Sequence, residues 1–186
     1  MPTYGLLLYF KVDATDTYFM KANLRWLLLG MTFAFTFVLP FLNALFLLRS
    51  GYIRSLHMET KEERRIPLLM TAFFFSAEYW MLHDRAVPDT LKLLLLSGTI
   101  SIVLTVIINL GWKISAHMVG IGGVTGAMFV LSYSLHYPYA SGLIMVLLFT
   151  AGLIGMARLQ MQAHDPWQVW GGFLLGAGCP LIFLLG

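Results

Sequence analysis

The sequence predicts an all-α protein: a polytopic membrane helical bundle with six clear spans, preceded by a short N-terminal apolar segment. Three observations predict it. Of 186 residues, 59% are hydrophobic and 11% charged, and the mean hydropathy is +0.78. A soluble domain averages about 45–50% apolar and about 25% charged residues. The excess lies in runs long enough to cross a bilayer, which takes about 17–25 residues of helix. No strand-like alternation appears, and lipid leaves helices as the only other way to satisfy a spanning backbone. One domain, residues 1–186, accommodates this length.

Taken in order, 4–10 is apolar but too short to span as a helix. It reads as an interfacial or re-entrant piece, or as the remnant of a longer helix. The polar stretch 11–25, with Lys11, Asp13, Asp16, Lys21 and Arg25, separates it from the helical core at 26–186. The spans run over 26–48, 66–82, 93–112, 118–135, 139–157 and 167–185. Pro40 and Pro180 fall inside spans and are expected to kink them. Residues 83–92 form a hairpin connection, and His136-Tyr-Pro138 a tight reversal. The start, Met1-Pro-Thr-Tyr-Gly5, lacks the basic residues of a cleavable signal peptide. Cys179 is the single cysteine and forms no intramolecular disulfide. A net charge of +3 gives no pointer to nucleic acid.

Counting spans places three polar sites on one membrane surface: the 49–65 loop, the 113–117 turn and the 158–166 loop. That face holds Arg49, Arg54, Lys61, Arg64, Arg65, Lys113 and Arg158. The opposite face holds Lys11, Lys21, Arg25, Arg85 and Lys92. The positive-inside rule leans toward a cytoplasmic site. Cations kept for phosphate would distort such a count, so the side stays open.

Arg158, five residues and His164 form the most specific element. Arginine presents a planar fork of donors that matches phosphate oxygens, and a neutral histidine is able to attack phosphorus. The plainer alternative is a snorkelling arginine and an interfacial histidine beside Trp167 and Trp170. In Lys113-Ile-Ser115-Ala-His117, a hydroxyl and free N–H groups at a helix start suit an anion, and His117 is placed to protonate a leaving alkoxide. Helix capping by Ser115 is the plainer alternative. Lys61-Glu-Glu-Arg64-Arg65-Ile-Pro67 is a charged turn with proline at a helix entry, or simply a stop-transfer flank. If this stretch is helical, Lys61 and Arg65 share a face.

Gly122/Gly126 and Gly172/Gly176 have the spacing of closely packed membrane helices. They are expected to bring the two site-bearing helices together. Glu78, beside Tyr79 and Trp80, reads as a residue of the far interface. No Cys/His/carboxylate set has metal-ligand spacing, and no Walker or serine-hydrolase signature appears.

In this order the three sites resemble the motifs of the type 2 phosphatidic acid phosphatase superfamily of membrane lipid phosphatases. The resemblance covers roughly residues 54–186. It implies a phosphohistidine mechanism without metal or other cofactor. His164 would be the nucleophile, Arg158 its phosphate-binding arginine and His117 the acid for the leaving group. Lys61, Arg64, Arg65 and Ser115 would bind phosphate. The family's first motif is matched loosely, because the lysine–arginine gap is short and Ile66 separates Arg65 from Pro67. Ala116 and Ala157 replace a glycine and a serine. Gln168 stands where the family has the aspartate that orients the nucleophile, so it is the orienting candidate here. The resemblance further implies a phosphorylated lipid as substrate, the bilayer as surroundings and a bacterial inner (plasma) membrane as location. It leaves the oligomeric state undetermined. Gln168 also motivates a rival, a weakened or inactive member of the fold that binds a phosphorylated lipid or protein partner. A transporter has little support, since the charged residues sit at span ends.

Overall fold

The computed structural model describes residues 2–12, 20–56, 58 and 60–185. Asp13 and Asp16, assigned above to a polar connection, lie outside the described residues. Those described form seven helices in chain order: α1 (Pro2–Val12), α2 (Ala22–Arg49), α3 (Lys61–His83), α4 (Asp89–Gly111), α5 (Ala116–Ser134), α6 (Ala140–Gln160) and α7 (Pro166–Leu185). Among the described residues no strand is present. Five helices, α2 and α4 through α7, are long and apolar enough to cross a membrane.

α5 is the centre of the bundle, packing against α1, α4, α6 and α7, while α2 and α3 complete the side beyond α4. Its Met118, Ile121, Val124, Met128 and Leu131 are buried against Leu6 and Tyr9 of α1, Leu91 of α4, and Leu147 and Ala151 of α6. Buried residues occur all round α5, as expected of a helix enclosed by neighbours. α2 and α6 instead turn large apolar side chains outward, including Phe33, Phe37, Phe41, Val146, Phe149 and Leu153. Such a surface is stable against hydrocarbon and not against water.

The glycine expectation is realised at the α5–α7 contact. A Cβ on Gly122 would run into the carbonyl of Phe173, one on Gly126 into that of Ala177, and one on Gly176 into that of Val119. On Gly172 it would lie 2.7 Å from the Ser115 carbonyl oxygen. Only hydrogen fits at these positions, so the backbones touch.

Pro40 acts differently from a simple kink. It lacks the N–H that would bond the Thr36 carbonyl, and its ring crowds that turn. The helix responds with a widened π turn over Ala34–Val38, in which Leu39 N–H bonds the Ala34 carbonyl, and then continues to Arg49.

The charged 61–67 stretch is likewise not a turn ahead of a helix. Thr60 caps α3, its Oγ1 accepting from Glu63 N–H at 3.3 Å, and Glu62 and Glu63 favour the positive N-terminal end of the helix dipole. Pro67 therefore lies inside α3. Glu78 is 1% exposed and accepts a hydrogen bond from Thr32 Oγ1 of α2.

Candidate functional site

The three polar sites meet where α3, α5 and α7 begin and α4 and α6 end. The last turn of α6 closes with Met161 and Ala163 N–H groups returning to the Ala157 and Arg158 carbonyls. The chain reverses through Gln162, whose φ is +50°. Asp165 then caps α7. Its Oδ1 accepts from Gln168 N–H at 2.9 Å, while Gln168 Oε1 reaches back to Asp165 N–H at 3.4 Å. This reciprocal pair is a capping box, with Pro166 at the first helical position. It explains Gln168 locally, because the box wants a side chain long enough to reach back. It also fixes Asp165 away from His164.

His164, 7% exposed, is held between these elements. Its Nδ1 lies 3.0 Å from Gln168 Oε1 and 3.1 Å from the Lys113 carbonyl oxygen. Both neighbours are acceptors, so Nδ1 carries the proton and Nε2 keeps its lone pair. Nε2 faces Arg64 Nη1 at 3.3 Å. Burial, with the Arg64 and Arg158 charges adding to it and the bonds to Gln168 and Lys113 opposing it, pushes the imidazole down to about 4. The ring is therefore neutral at ordinary pH, and its unprotonated nitrogen is turned toward a guanidinium.

α3 supplies that guanidinium. Arg64 is 8% exposed, and its Nε donates to the Met58 carbonyl at 2.9 Å. Met58 has a φ of +46°, a conformation a methionine rarely adopts. Arg65, one residue on, is exposed, and Lys61 is half-buried. The helix turns Arg64, not Arg65, toward His164. Arg158 is half-buried on α6 and acts electrostatically on Arg64, His117 and His164. Its Nε is enclosed without a hydrogen-bond partner. Among the described residues, no carboxylate forms an ion pair with either arginine. Two neighbouring cations with no anion between them create a site whose natural occupant is an anion.

Ser115 stands at the N-cap of α5 without capping it. Its N–H donates to the Gln168 carbonyl at 3.2 Å, and its fully buried Oγ has no partner. His117, in the first turn of α5, is exposed and lies at one end of a large cavity. Among the described residues, no three His, Cys, Asp or Glu side chains are grouped as a metal ion requires.

Sequence reasoning missed Asn109. It is 1% exposed and its Nδ2 donates to the Lys61 carbonyl at 3.1 Å, tying the end of α4 to the start of α3. The signal was available: Ser97, Ser101, Thr105 and Asn109 recur every four residues in an otherwise apolar run. The Met58 carbonyl had no such signal, because its role depends on a backbone conformation.

Comparison with known proteins finds no matching family model, no matching curated protein and no matching solved structure.

Proposed function

We propose that this chain is a metal-independent membrane phosphatase that hydrolyses a lipid phosphate or pyrophosphate through a phosphohistidine, as a divergent member of the type 2 phosphatidic acid phosphatase superfamily. The observation that carries the reading is His164: neutral, held at Nδ1 by two acceptors, with Nε2 aimed into a pair of unpaired arginines.

In the proposed reaction the Nε2 lone pair forms the N–P bond as the bond from phosphorus to the leaving oxygen breaks. His117, protonated beforehand, gives its proton to that oxygen. Arg64 and Arg158 take up the charge on the transferring phosphoryl oxygens, with Ser115 Oγ as a further donor. Lys61 and Arg65 are more distant cations that attract the head group. Water then opens the N–P bond and releases phosphate. Gln168 keeps the nucleophile in the correct tautomer, but its amide adds no negative charge to offset the ring that becomes cationic on attack.

α3 belongs to the reading as a sixth span. At 23 residues it extends roughly 35 Å, against a hydrocarbon core of about 30 Å. Trp80 near its end is exposed like Trp26, Tyr133 and Tyr139 near the same ends of α2, α5 and α6, the pattern of an aromatic belt. Trp112, Trp167 and Trp170, also exposed, match it at the site end. A bacterial inner membrane is the location we propose.

The test is phosphate release by the purified protein from phosphatidate, phosphatidylglycerophosphate and polyprenyl pyrophosphate, with and without EDTA. EDTA-resistant release that disappears in His164→Ala is expected. Wild-type turnover in both His164→Ala and His117→Ala would overturn the mechanism. A folded protein that binds these lipids and releases nothing would establish the rival, a binding member of the same fold.

A further inference from the structure

A cavity of about 460 Å³ runs from His117 into the middle of the bundle. Along α5 its wall extends from Ala116 to Met128, roughly 18 Å at about 1.5 Å per residue. α4 lines it from Leu91 to Ile102, and α1 contributes Pro2, Gly5 and Leu6; at the end far from His117, Leu91 and Met128, 1% and 0% exposed, close it off from solvent.

Five hydroxyls also line it: Thr32, Thr36, Thr71, Ser97 and Ser101. None offers its proton inward. Thr32 donates to Glu78, Thr36 to the Thr32 carbonyl, and Thr71 to the Pro67 carbonyl. Ser97 and Ser101 donate to the carbonyls of Leu94 and Ser97. A guest's hydrogen-bond acceptors would have to give up water and find no donor among these hydroxyls. Beyond the His117 end, the wall therefore accepts hydrocarbon. The volume holds about 15 groups the size of a water, at about 30 Å³ each, and a methylene is of similar size.

We infer that this cavity seats one hydrocarbon chain of the phosphorylated lipid, and that its closed end sets the longest chain that is processed efficiently. The inference rests on the function proposed above, since it places the phosphate at the His117 end. A chain that leaves lipid for this cavity exchanges one hydrocarbon environment for another, so transfer itself favours no length. Discrimination comes from the closed end. A chain longer than the cavity must bend against Leu91 and Met128 or draw its head group back from the histidines.

Gly98 makes this testable. It lines the cavity midway along its α4 wall, and a Cβ there would meet only ring carbons of Phe75, at 3.9 and 4.0 Å. Gly98→Leu fills the middle of the cavity from a position with room at its base. The experiment uses the full chain in detergent with single-chain alkyl phosphates of 8 to 20 carbons. Phosphate release is measured alongside binding of the matching uncleavable alkyl phosphonates. For the wild type, kcat/KM is expected to hold up to about 15 carbons and then fall. Gly98→Leu should bring that fall forward by several carbons and lower kcat/KM for 16 carbons at least tenfold more than for 8. Gly98→Ala should shift it in the same direction by less, which covers a Gly98→Leu protein that fails to fold. Turnover in which neither variant changes the length profile overturns the chain inference and leaves the phosphatase reading standing. Phosphonate binding with the expected length limits and no hydrolysis supports the chain inference and removes the phosphatase reading.

Discussion

At the scale of single residues, the chemistry converges on what holds His164. Gln168 serves both the α7 capping box and the His164 tautomer with one oxygen. Gln168→Glu keeps that reach and adds a negative charge beside Nδ1. A charged acceptor is worth roughly 1–1.5 kcal/mol more than a neutral one, so the proposed phosphorylation step should quicken about tenfold, read as the rate in single-turnover assays. The same charge favours the cationic ring and raises its pKa. The wild-type acid limb, expected near pH 4 from the lowered value, should therefore move to higher pH in the variant. A variant with unchanged rate and limb would mean that Nδ1 does not feel position 168. Stability has its own sign. The folded value lies below the ordinary one near 6.5, so the unfolded chain takes up the proton first. Stability should be full above about pH 6.5, decline toward pH 4 and level off below. His164→Asn should flatten that decline in thermal melts.

The two adjacent arginines separate at the same scale. The sequence favours Arg65, which shares a helical face with Lys61 and is the arginine matched to the first motif, over Arg64 beside it. The helical register divides them: Arg64 is buried beside His164, and Arg65 is exposed. Arg64→Ala should lower kcat/KM by at least about 10²-fold, the scale seen when a preorganised donor to a developing anion is removed. Arg65→Ala should change it by no more than a few-fold, in line with a solvated cation. Equal losses in the two variants would contradict this register.

At the scale of elements, the sequence was most legible where a physical pattern repeats. The apolar runs located α2 and α4 through α7, and the glycine spacing located the α5–α7 contact. What it hid were the places where one residue answers to two demands. Pro40 was visible, but not the π turn that absorbs it. Ser115 offered two readings, an anion site or a cap; it does not cap α5, and its buried hydroxyl has no partner. The 61–67 cluster read as a turn because its charges mask a well-capped helix start. The glycine contact carries its own prediction. A methyl on Gly126 or Gly176 meets carbonyl backbone that cannot rotate away. Gly126→Ala and Gly176→Ala should each destabilise the bundle by about 1–3 kcal/mol, the usual effect of overpacking. Gly178→Ala, with open space at its Cβ, should leave the melting temperature unchanged. Because α5 carries Ser115 and His117 and α7 carries Gln168, the first two variants should also lower activity at temperatures where they remain folded.

At the scale of the molecule, the proposed function depends on an even number of crossings between the polar sites. Hydrogen bonds already join α3, α7 and the turn before α5 at one end of the bundle. What remains is whether α3 crosses the bilayer like its five more apolar neighbours. Its hydropathy is reduced by a charged first turn, which lies at the end of the helix, and by Glu78, whose carboxyl accepts a hydrogen bond from Thr32. Charges at a span end, or held by a hydrogen bond inside the bundle, do not prevent crossing in the way an isolated lipid-facing charge does. Starting from Cys179→Ala, single cysteines at Ser50, Gln162, Arg85 and His136 should label with an impermeant maleimide in two sets. Ser50 and Gln162 should react from one side of sealed vesicles, and Arg85 and His136 from the other. If Arg85 labelled together with Ser50, α3 would enter and leave by one face. The connections that hold Ser50 and Gln162 would then no longer share a side, and the proposed phosphate site would have to be reached through a bundle of different topology.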